Sequence, residues 1–158
     1  MEIIEAAGAL ALSTRLQRLA EQIRKEGALF YKSYGIDFEP KWFPIIYTLF
    51  QKPLLSVIEL AAEIGYTHPS TIVLLKELDR QQLVRSKKDK TDERKRLLEL
   101  TQKGNQLVQT MQPIWKVIEQ ALADIADNQH HLLRAIEQAE DALAKQSFLQ
   151  RAMALKDR

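Results

Sequence analysis

The chain has 158 residues, of which 46% are hydrophobic and 28% charged, so its length suits one domain with a hydrophobic core. It contains no cysteine, which excludes disulfides, thiolate metal sites and thiol-based oxidant sensing. No run of about eighteen apolar residues is present, and the first residues do not form a signal-peptide pattern. We therefore expect a cytoplasmic protein with no membrane partner.

Residues 1–35 are predicted to be mainly helical, because apolar side chains recur at helical spacing from about Ile3 onward. Gly35 is expected to end this helix, since glycine adopts a left-handed conformation without strain. A helix of this length carries an apolar stripe that extends past one small domain and needs a partner to cover it.

A helix-turn-helix is predicted to begin at Ser56. Ser56 and Glu59 have the spacing of a capping box, so a helix should start near Val57. Gly65 is expected to end this helix in a left-handed conformation. Two short helices with this pattern would also suit a helical hairpin of an all-α domain, so the assignment depends on the segment that follows.

The second helix of the pair is predicted to run from Thr67 to Gln81. Thr67 or His68 is expected to cap it, and Pro69 falls in its first turn, where a missing backbone N–H costs nothing. In a helix-turn-helix this second helix enters the major groove of DNA. Helical spacing predicts that its buried face contains Thr71, Leu74, Leu75 and Leu78.

A basic hairpin is predicted next, with one strand that starts at Leu83 and a return strand at residues 97–100. Between Arg85 and Arg96 lie seven basic and three acidic residues, a formal charge of +4 in a chain whose total is +2. Such a concentration of charge directly after a helix-turn-helix favours phosphate binding over a merely solvated loop. The phosphate contacts are expected from Arg85, Lys87, Lys88, Lys90, Arg94 and Lys95.

Residues 101–158 return to helical periodicity. One long helix is expected from Thr101 to about Asp127, with a kink at Pro113, and a single last helix should follow. Two-fold dimerisation would cover the apolar stripes of these helices and of residues 1–35, although a helical bundle within one chain has the same periodicity. Dimer contacts are expected from Leu12, Leu16, Leu19, Leu143, Phe148 and Leu149.

The sequence resembles the MarR-type winged helix-turn-helix transcriptional regulators from about Leu10 to about Leu149. The most specific matches are Asp92-Glu93-Arg94 in the wing, then Leu98-Glu99-Leu100-Thr101 and Lys103-Gly104. The resemblance implies a mainly α fold with a small β-wing. In that fold, residues 36–100 form the DNA-binding winged helix-turn-helix, and long N- and C-terminal dimerisation helices flank it.

The resemblance also implies a function, that of a homodimeric repressor bound to a near-palindromic site in double-stranded DNA. In such a protein Arg94 would enter the minor groove, and Asp92 would orient it. Two positions depart from the family pattern, because Gln82 stands where a glycine is frequent and Ile72 and Val73 stand where polar residues are frequent. Apolar side chains there would contact thymine methyl groups. The contacts of this helix with DNA are expected from His68, Pro69, Ser70, Ile72, Val73 and Lys76.

Aromatic residues cluster in the segment before the helix-turn-helix. MarR-like proteins often bind small aromatic effectors between the dimer helices and the winged helix, so the resemblance implies a similar cleft here. The alternative is a structural core that joins these two parts, and we favour this alternative for most of the cluster. The residues that would line a cleft are Tyr31, Tyr34, Trp42, Phe43, Tyr47 and Trp115.

No motif for catalysis or for phosphate-loop binding occurs in the sequence. His130 and His131 are adjacent, so they cannot share one face of a helix and form a poor metal pair. We therefore expect neither an enzyme nor a metal or cofactor. The alternative to a DNA-binding regulator is a winged helix that serves as a protein-interaction or scaffold module without DNA.

Overall fold

The computed structural model describes residues 2–92 and 94–156, and these residues form eight α-helices and two β-strands. The helices are α1 (Glu2–Ala6), α2 (Leu12–Ser33), α3 (Phe43–Gln51), α4 (Val57–Ile64), α5 (His68–Arg80), α6 (Gln102–Ala126), α7 (Leu132–Lys145) and α8 (Phe148–Lys156), and the strands are β1 (Val84–Lys88) and β2 (Arg96–Leu100). Short 3-10 helices lie at Gly8–Ala11 and Pro40–Trp42. The expected fold class, mainly α with a small β-wing, is confirmed. Among the helices described here, none combines the length and the apolar character that crossing a membrane would require.

Two compact units divide the chain, Met1–Ile114 and Trp115–Arg158. The first contains the helix-turn-helix and the hairpin, and the second contains the end of α6 together with α7 and α8. The division concerns packing within one chain. It leaves the predicted split between a DNA-binding region and dimerisation helices as a prediction.

The core of the first unit lies where α3, α4, α5 and the hairpin meet. Thr71 is the buried polar residue of this core, and its hydroxyl donates to the Thr67 carbonyl oxygen at 3.0 Å, so burial leaves no unmet polar group there. The first half of α6 also contributes buried side chains. The fully buried aliphatic residues of this core are Ile45, Ile46, Leu49, Leu60, Leu78, Val108 and Met111.

The helix-turn-helix begins and turns as its sequence predicts. Both hydrogen bonds of the capping box between Ser56 and Glu59 are present, and α4 starts at Val57. Gly65 ends α4 with a φ of 70°, in the left-handed region where glycine is unstrained. Thr67, rather than His68, caps α5.

The hairpin is antiparallel, and its register pairs Val84 with Leu100 at the base and Lys88 with Arg96 near the tip. A third segment, absent from the sequence prediction, pairs with β2 through an isolated bridge between Leu55 and Leu98. Leu98 N donates to the Leu55 carbonyl oxygen at 2.7 Å, and Leu54 N donates to the Leu98 carbonyl oxygen at 3.0 Å. The chain just before α4 thereby covers the outer edge of β2 at its centre.

The L-T-x-x-G segment holds the start of α6 against the turn between α5 and β1. Thr101 N donates to the Leu83 carbonyl oxygen at 3.0 Å, and the Thr101 hydroxyl donates to the Gln82 carbonyl oxygen at 2.6 Å. The same hydroxyl accepts from Gly104 N at 3.0 Å. A Cβ at position 104 would overlap the Leu83 carbonyl oxygen, so only glycine fits there.

The helical ends of the chain differ from the sequence prediction in two places. The expected helix from Ile3 to the end of α2 is interrupted, because Gly8 adopts a φ of 57° and a 3-10 helix follows it. The expected single last helix is also wrong, since α7 ends at Lys145 and α8 starts afresh at Phe148. A second capping box causes that break, in which Ser147 N donates to Gln150 Oε1 at 2.9 Å and Gln150 N donates to Ser147 Oγ at 3.2 Å.

Other helix ends agree with the sequence. Gly35, with a φ of 71°, lies just after the end of α2 as expected. Helix α6 continues through Pro113 and ends at Ala126, one residue before the expected boundary.

Gln82, which lies two residues after the end of α5, provides a test of backbone strain. Gln82 has a φ of 59°, which costs a residue with a Cβ about 1 kcal/mol relative to glycine. We expect Gln82→Gly to raise the free energy of unfolding by about 1 kcal/mol in urea titrations. Gln81, with a φ of −77°, is the matched control, and Gln81→Gly should lower it. An equal loss of stability in both variants would contradict the strain.

Candidate nucleic-acid interface

The start of α5 is open to a ligand. The Thr67 hydroxyl accepts from Ser70 N at 3.3 Å and donates to Ser70 Oγ at 2.8 Å, so the first turn is fixed from within. His68, Pro69 and Ser70 are all exposed. This helix N-terminus therefore presents exposed backbone and a positive dipole end, which suits an anionic group.

The exposed face of α5 differs slightly from the predicted one. Val73 and Lys76 are exposed, and Val73 retains 58% of its accessible surface. Ile72 is only half-buried and lies at the border of that face. Leu74, placed in the buried stripe by its spacing, is half-buried as well. Val73 is consequently the apolar side chain best placed to contact a ligand along this helix.

The outer face of the hairpin carries two cations that share one carboxylate. Arg85 Nη2 lies 2.8 Å from Glu99 Oε1, and Lys87 Nζ lies 2.8 Å from Glu99 Oε2. The hydrogen bond from Lys87, followed by that from Arg85, holds the pKa of Glu99 below its ordinary value. These two basic residues, both predicted to contact phosphate, are thus already paired within the chain.

A third basic residue of the wing is paired with α4. Lys95 Nζ lies 3.2 Å from Glu59 Oε1, while the other carboxylate oxygen of Glu59 accepts from Ser56 N at 2.7 Å. The backbone hydrogen bond from Ser56 is the largest cause that lowers the pKa of Glu59 to about 2, with Lys95 acting in the same direction. Glu59 therefore stays ionised at neutral pH and links the wing to the helix-turn-helix.

The wing tip is closed by two aspartates that bind the backbone. Asp89 Oδ1 accepts from both Thr91 N and Thr91 Oγ1 at 2.8 Å, and the Thr91 backbone bond is the main cause that lowers the pKa of Asp89. Asp92 Oδ1 accepts from Arg94 N at 3.0 Å. In the structure, Asp92 holds Arg94 through its main chain. Glu93, part of the predicted motif, lies outside the described residues.

Of the other basic residues of the wing, the three that were predicted to contact phosphate lie toward its tip. Lys88, Lys90 and Arg94 are exposed, and none of them forms an ion pair with another residue of the described ranges. Together with the N-terminus of α5 and its exposed face, they form the set of groups best suited to a polyanion.

Part of the aromatic cluster is structural. Tyr31 and Trp42 are buried and lie on either side of Phe38, with edge-to-face ring centroids 5.0 and 5.7 Å apart. Phe43 and Tyr47 are stacked, with centroids 5.1 Å apart, and remain partly exposed. Tyr34, which is exposed, and Trp115, which is half-buried and belongs to the second unit, complete the predicted set. Whether any of them contacts an effector stays a prediction.

An ion pair that the sequence did not reveal connects this cluster to α5. Trp42 Nε1 donates to Glu77 Oε2 at 2.8 Å, and Lys41 Nζ lies 2.8 Å from the same oxygen. Lys41, then Trp42, lowers the pKa of Glu77. Residues 35 positions apart meet here, so no local pattern could have indicated the contact.

The structure shows two open cavities of about 460 Å³ each. One lies between α6 and α7 in the second unit, lined by His131, Arg134 and Glu137 among others, and the other lies along α1 and α2. Neither is lined by the predicted aromatic residues. Within residues 2–92 and 94–156, no group of three acidic, histidine or cysteine side chains could hold a metal ion.

The predicted dimer contacts are exposed in the single chain. In the first unit these are Leu12, Leu16 and Leu19, and in the second unit Leu143, Phe148 and Leu149. Large apolar side chains in such numbers are seldom left in water. Each unit therefore carries exposed apolar side chains at the positions predicted for the dimer.

Comparison with known proteins places the fold. No protein-family model matches the chain, and no curated protein matches it either. Among solved structures, the DNA complex of MepR from S. aureus is 19% identical with a TM-score of 0.66 over 84% of this chain and 96% of that one.

Two further structures match to a similar degree. The repressor CouR, bound to a 23-mer DNA duplex, is 20% identical with a TM-score of 0.65 over 85% of this chain and 96% of that one. PcaV from Streptomyces coelicolor, in complex with its natural ligand, is 20% identical with a TM-score of 0.65 over 87% of this chain and 94% of that one. These are MarR-family regulators, so the resemblance is confirmed at the level of the fold.

Proposed function

We propose that the protein is a sequence-specific DNA-binding transcriptional regulator that acts as a homodimeric repressor. Two observations carry the proposal: Lys88, Lys90 and Arg94 of the wing tip are exposed and form no ion pair with a described residue, and the N-terminus of α5 is exposed as well. A helix in the major groove and a basic hairpin on the adjacent backbone or minor groove use these two features together. Two of the structures with a similar fold are complexes with DNA.

The proposal includes a small aromatic effector that modulates DNA affinity. It is supported by the partly exposed pair of Phe43 and Tyr47 and by the ligand complex of PcaV, a structure of the same fold. The contact between Trp42 and Glu77 supplies a physical connection, because a ligand that moves the aromatic cluster would also move α5. DNA binding of this kind also implies the cytoplasmic location that the sequence suggested.

The wing arginine provides the first test of DNA binding. We expect Arg94→Ala to weaken binding to the protein's own promoter region at least about tenfold, because a charge-assisted contact is worth roughly 1.5–3 kcal/mol. Asp92→Ala should give a smaller loss, since it removes only the bond that holds Arg94 N. Electrophoretic mobility shifts would measure both. Arg24→Ala, an exposed arginine on α2, is the control for the change in net charge. Equal affinity of parent and Arg94→Ala would favour the scaffold alternative.

The dimer provides the second test. Light scattering at micromolar concentration should give twice the chain mass of 18.2 kDa. Footprinting should show two half-sites about 10 base pairs apart, as two-fold symmetry requires. Phe148→Asp should shift the mass toward the monomer and weaken DNA binding, whereas Leu29→Asp, which also places a charge at an exposed leucine, should not. A monomeric parent protein would contradict the homodimer.

The exposed face of α5 provides the third test. Val73 should contact a thymine methyl group, so replacing that thymine by uracil should cost a measurable part of the roughly 1–3 kcal/mol typical of a mismatched pair. Val73→Ala should make binding insensitive to the same replacement. Uracil at a flanking thymine outside the half-sites serves as the control. If uracil throughout the half-site leaves the parent's affinity unchanged, Val73 does not face the groove.

A further inference from the structure

Glu99 is the acidic residue at the centre of the wing, and the role inferred for it here rests on the proposed DNA binding. Glu99 lies directly opposite Arg85 in the register of the hairpin, and Lys87 is the diagonal neighbour. Alternation along the strands puts these three side chains on the outer face, while Leu98 and Leu100 face the core. One carboxylate thus stands between two cations on the surface that would approach DNA.

Glu99 is the counterion of both Arg85 and Lys87. Glu99 retains 16% of its side-chain surface, against 64% for Arg85 and 46% for Lys87, so the cations cover the carboxylate. Ion pairs this exposed contribute at most about 1 kcal/mol each to stability. Their larger effect is on the electrostatic potential of this face, where one negative charge offsets one of two positive charges.

The position of this carboxylate matters because DNA affinity is mainly electrostatic. Each phosphate that a basic side chain neutralises adds roughly 0.9 to the slope of log affinity against log salt concentration. An acid fixed beside the basic residues repels the same phosphates and offers the cations an alternative partner. The two strands of the wing therefore contribute less phosphate binding than their number of basic residues suggests.

The consequence is a division of the wing into two parts. Toward the tip, Lys88, Lys90 and Arg94 are exposed and have no acidic partner among the described residues. On the outer face of its strands, Arg85 and Lys87 are paired with Glu99. Phosphate contacts carry no sequence information, so contacts made by Arg85 and Lys87 from the outer face would add to the affinity for any duplex.

We propose that Glu99 is an internal counterion that keeps Arg85 and Lys87 from binding DNA phosphates and so limits the sequence-independent part of DNA affinity. It is a residue that determines specificity without contacting DNA. Its removal should strengthen binding to all DNA, and to non-specific DNA most of all.

The test is Glu99→Gln, which keeps the size of the side chain and removes its charge. With three contacts per subunit the parent dimer should show a salt slope of about 5, and with five per subunit the variant should approach about 9. Affinity for a random-sequence duplex should rise at fixed salt, and the ratio of promoter to random-sequence affinity should fall. Thermal unfolding should confirm that the variant is folded.

Three further variants isolate the cause. Glu26→Gln on α2 changes the net charge equally and should leave the salt slope unchanged. Adding Arg85→Gln and Lys87→Gln to Glu99→Gln should return the slope to the parental value, because the freed cations are then absent. Glu59→Gln, whose amide can still accept from Ser56 N, frees only Lys95 and should produce a smaller increase than Glu99→Gln.

The outcomes separate this inference from the proposed function. A parent protein that binds its promoter, with a Glu99→Gln variant of unchanged salt slope and unchanged random-sequence affinity, would overturn the inference alone. Weaker binding by Glu99→Gln would also overturn it, since Glu99 would then hold Arg85 and Lys87 in place for DNA. A parent protein that binds no DNA would overturn both.

Discussion

The winged helix-turn-helix depends on the contacts of one atom, the carbonyl oxygen of Leu83. It accepts from Thr101 N, and the absent side chain of Gly104 lets α6 begin directly against it. The Thr101 hydroxyl adds bonds to Gln82 O and Gly104 N, which satisfy groups that a helix start would otherwise leave exposed. One threonine and one glycine thereby fix the end of α5, the start of β1 and the start of α6 relative to each other.

The electrostatics of the wing follow from that arrangement. Leu98 and Leu100 of the hairpin face the core, while Arg85, Lys87 and Glu99 lie on its outer face together with the half-buried Leu97. Acidic residues from two elements, Glu99 of β2 and Glu59 of α4, then meet three of its basic residues. The wing is therefore less basic in effect than its composition indicates, and its net positive charge is displaced toward the tip.

Capping residues in the sequence were sufficient to predict where α4 begins and ends and where α5 begins. The capping box at Ser56, the left-handed Gly65 and the cap at Thr67 each act within one turn, so their residues alone predict the helix-turn-helix. The capping box at Ser147 is equally local, but the apolar periodicity continues across it and by itself predicts one uninterrupted helix.

Contacts between distant segments were not predictable in the same way. Glu77 meets Trp42 across 35 residues, and Glu99 meets Arg85 across 14, so these partners depend on how the elements pack. The sequence indicated which wing residues are basic, but it gave no sign of which of them are already paired. The family resemblance implied that Asp92 orients Arg94, and the structure shows that Asp92 accepts a hydrogen bond from the Arg94 main chain.

The hydrogen bond between Trp42 and Glu77 makes the intrinsic fluorescence of Trp42 sensitive to the position of α5. The chain has two tryptophans, and the indole of Trp42 is buried while its ring N–H is held by a carboxylate on α5. The emission of an indole depends on the charges and dipoles at its ring, so any displacement of α5 that stretches this bond changes the fluorescence of Trp42. Replacing Trp115 by phenylalanine would leave Trp42 as the one tryptophan of the chain. The position of α5 could then be followed in solution from tryptophan fluorescence, without an attached dye.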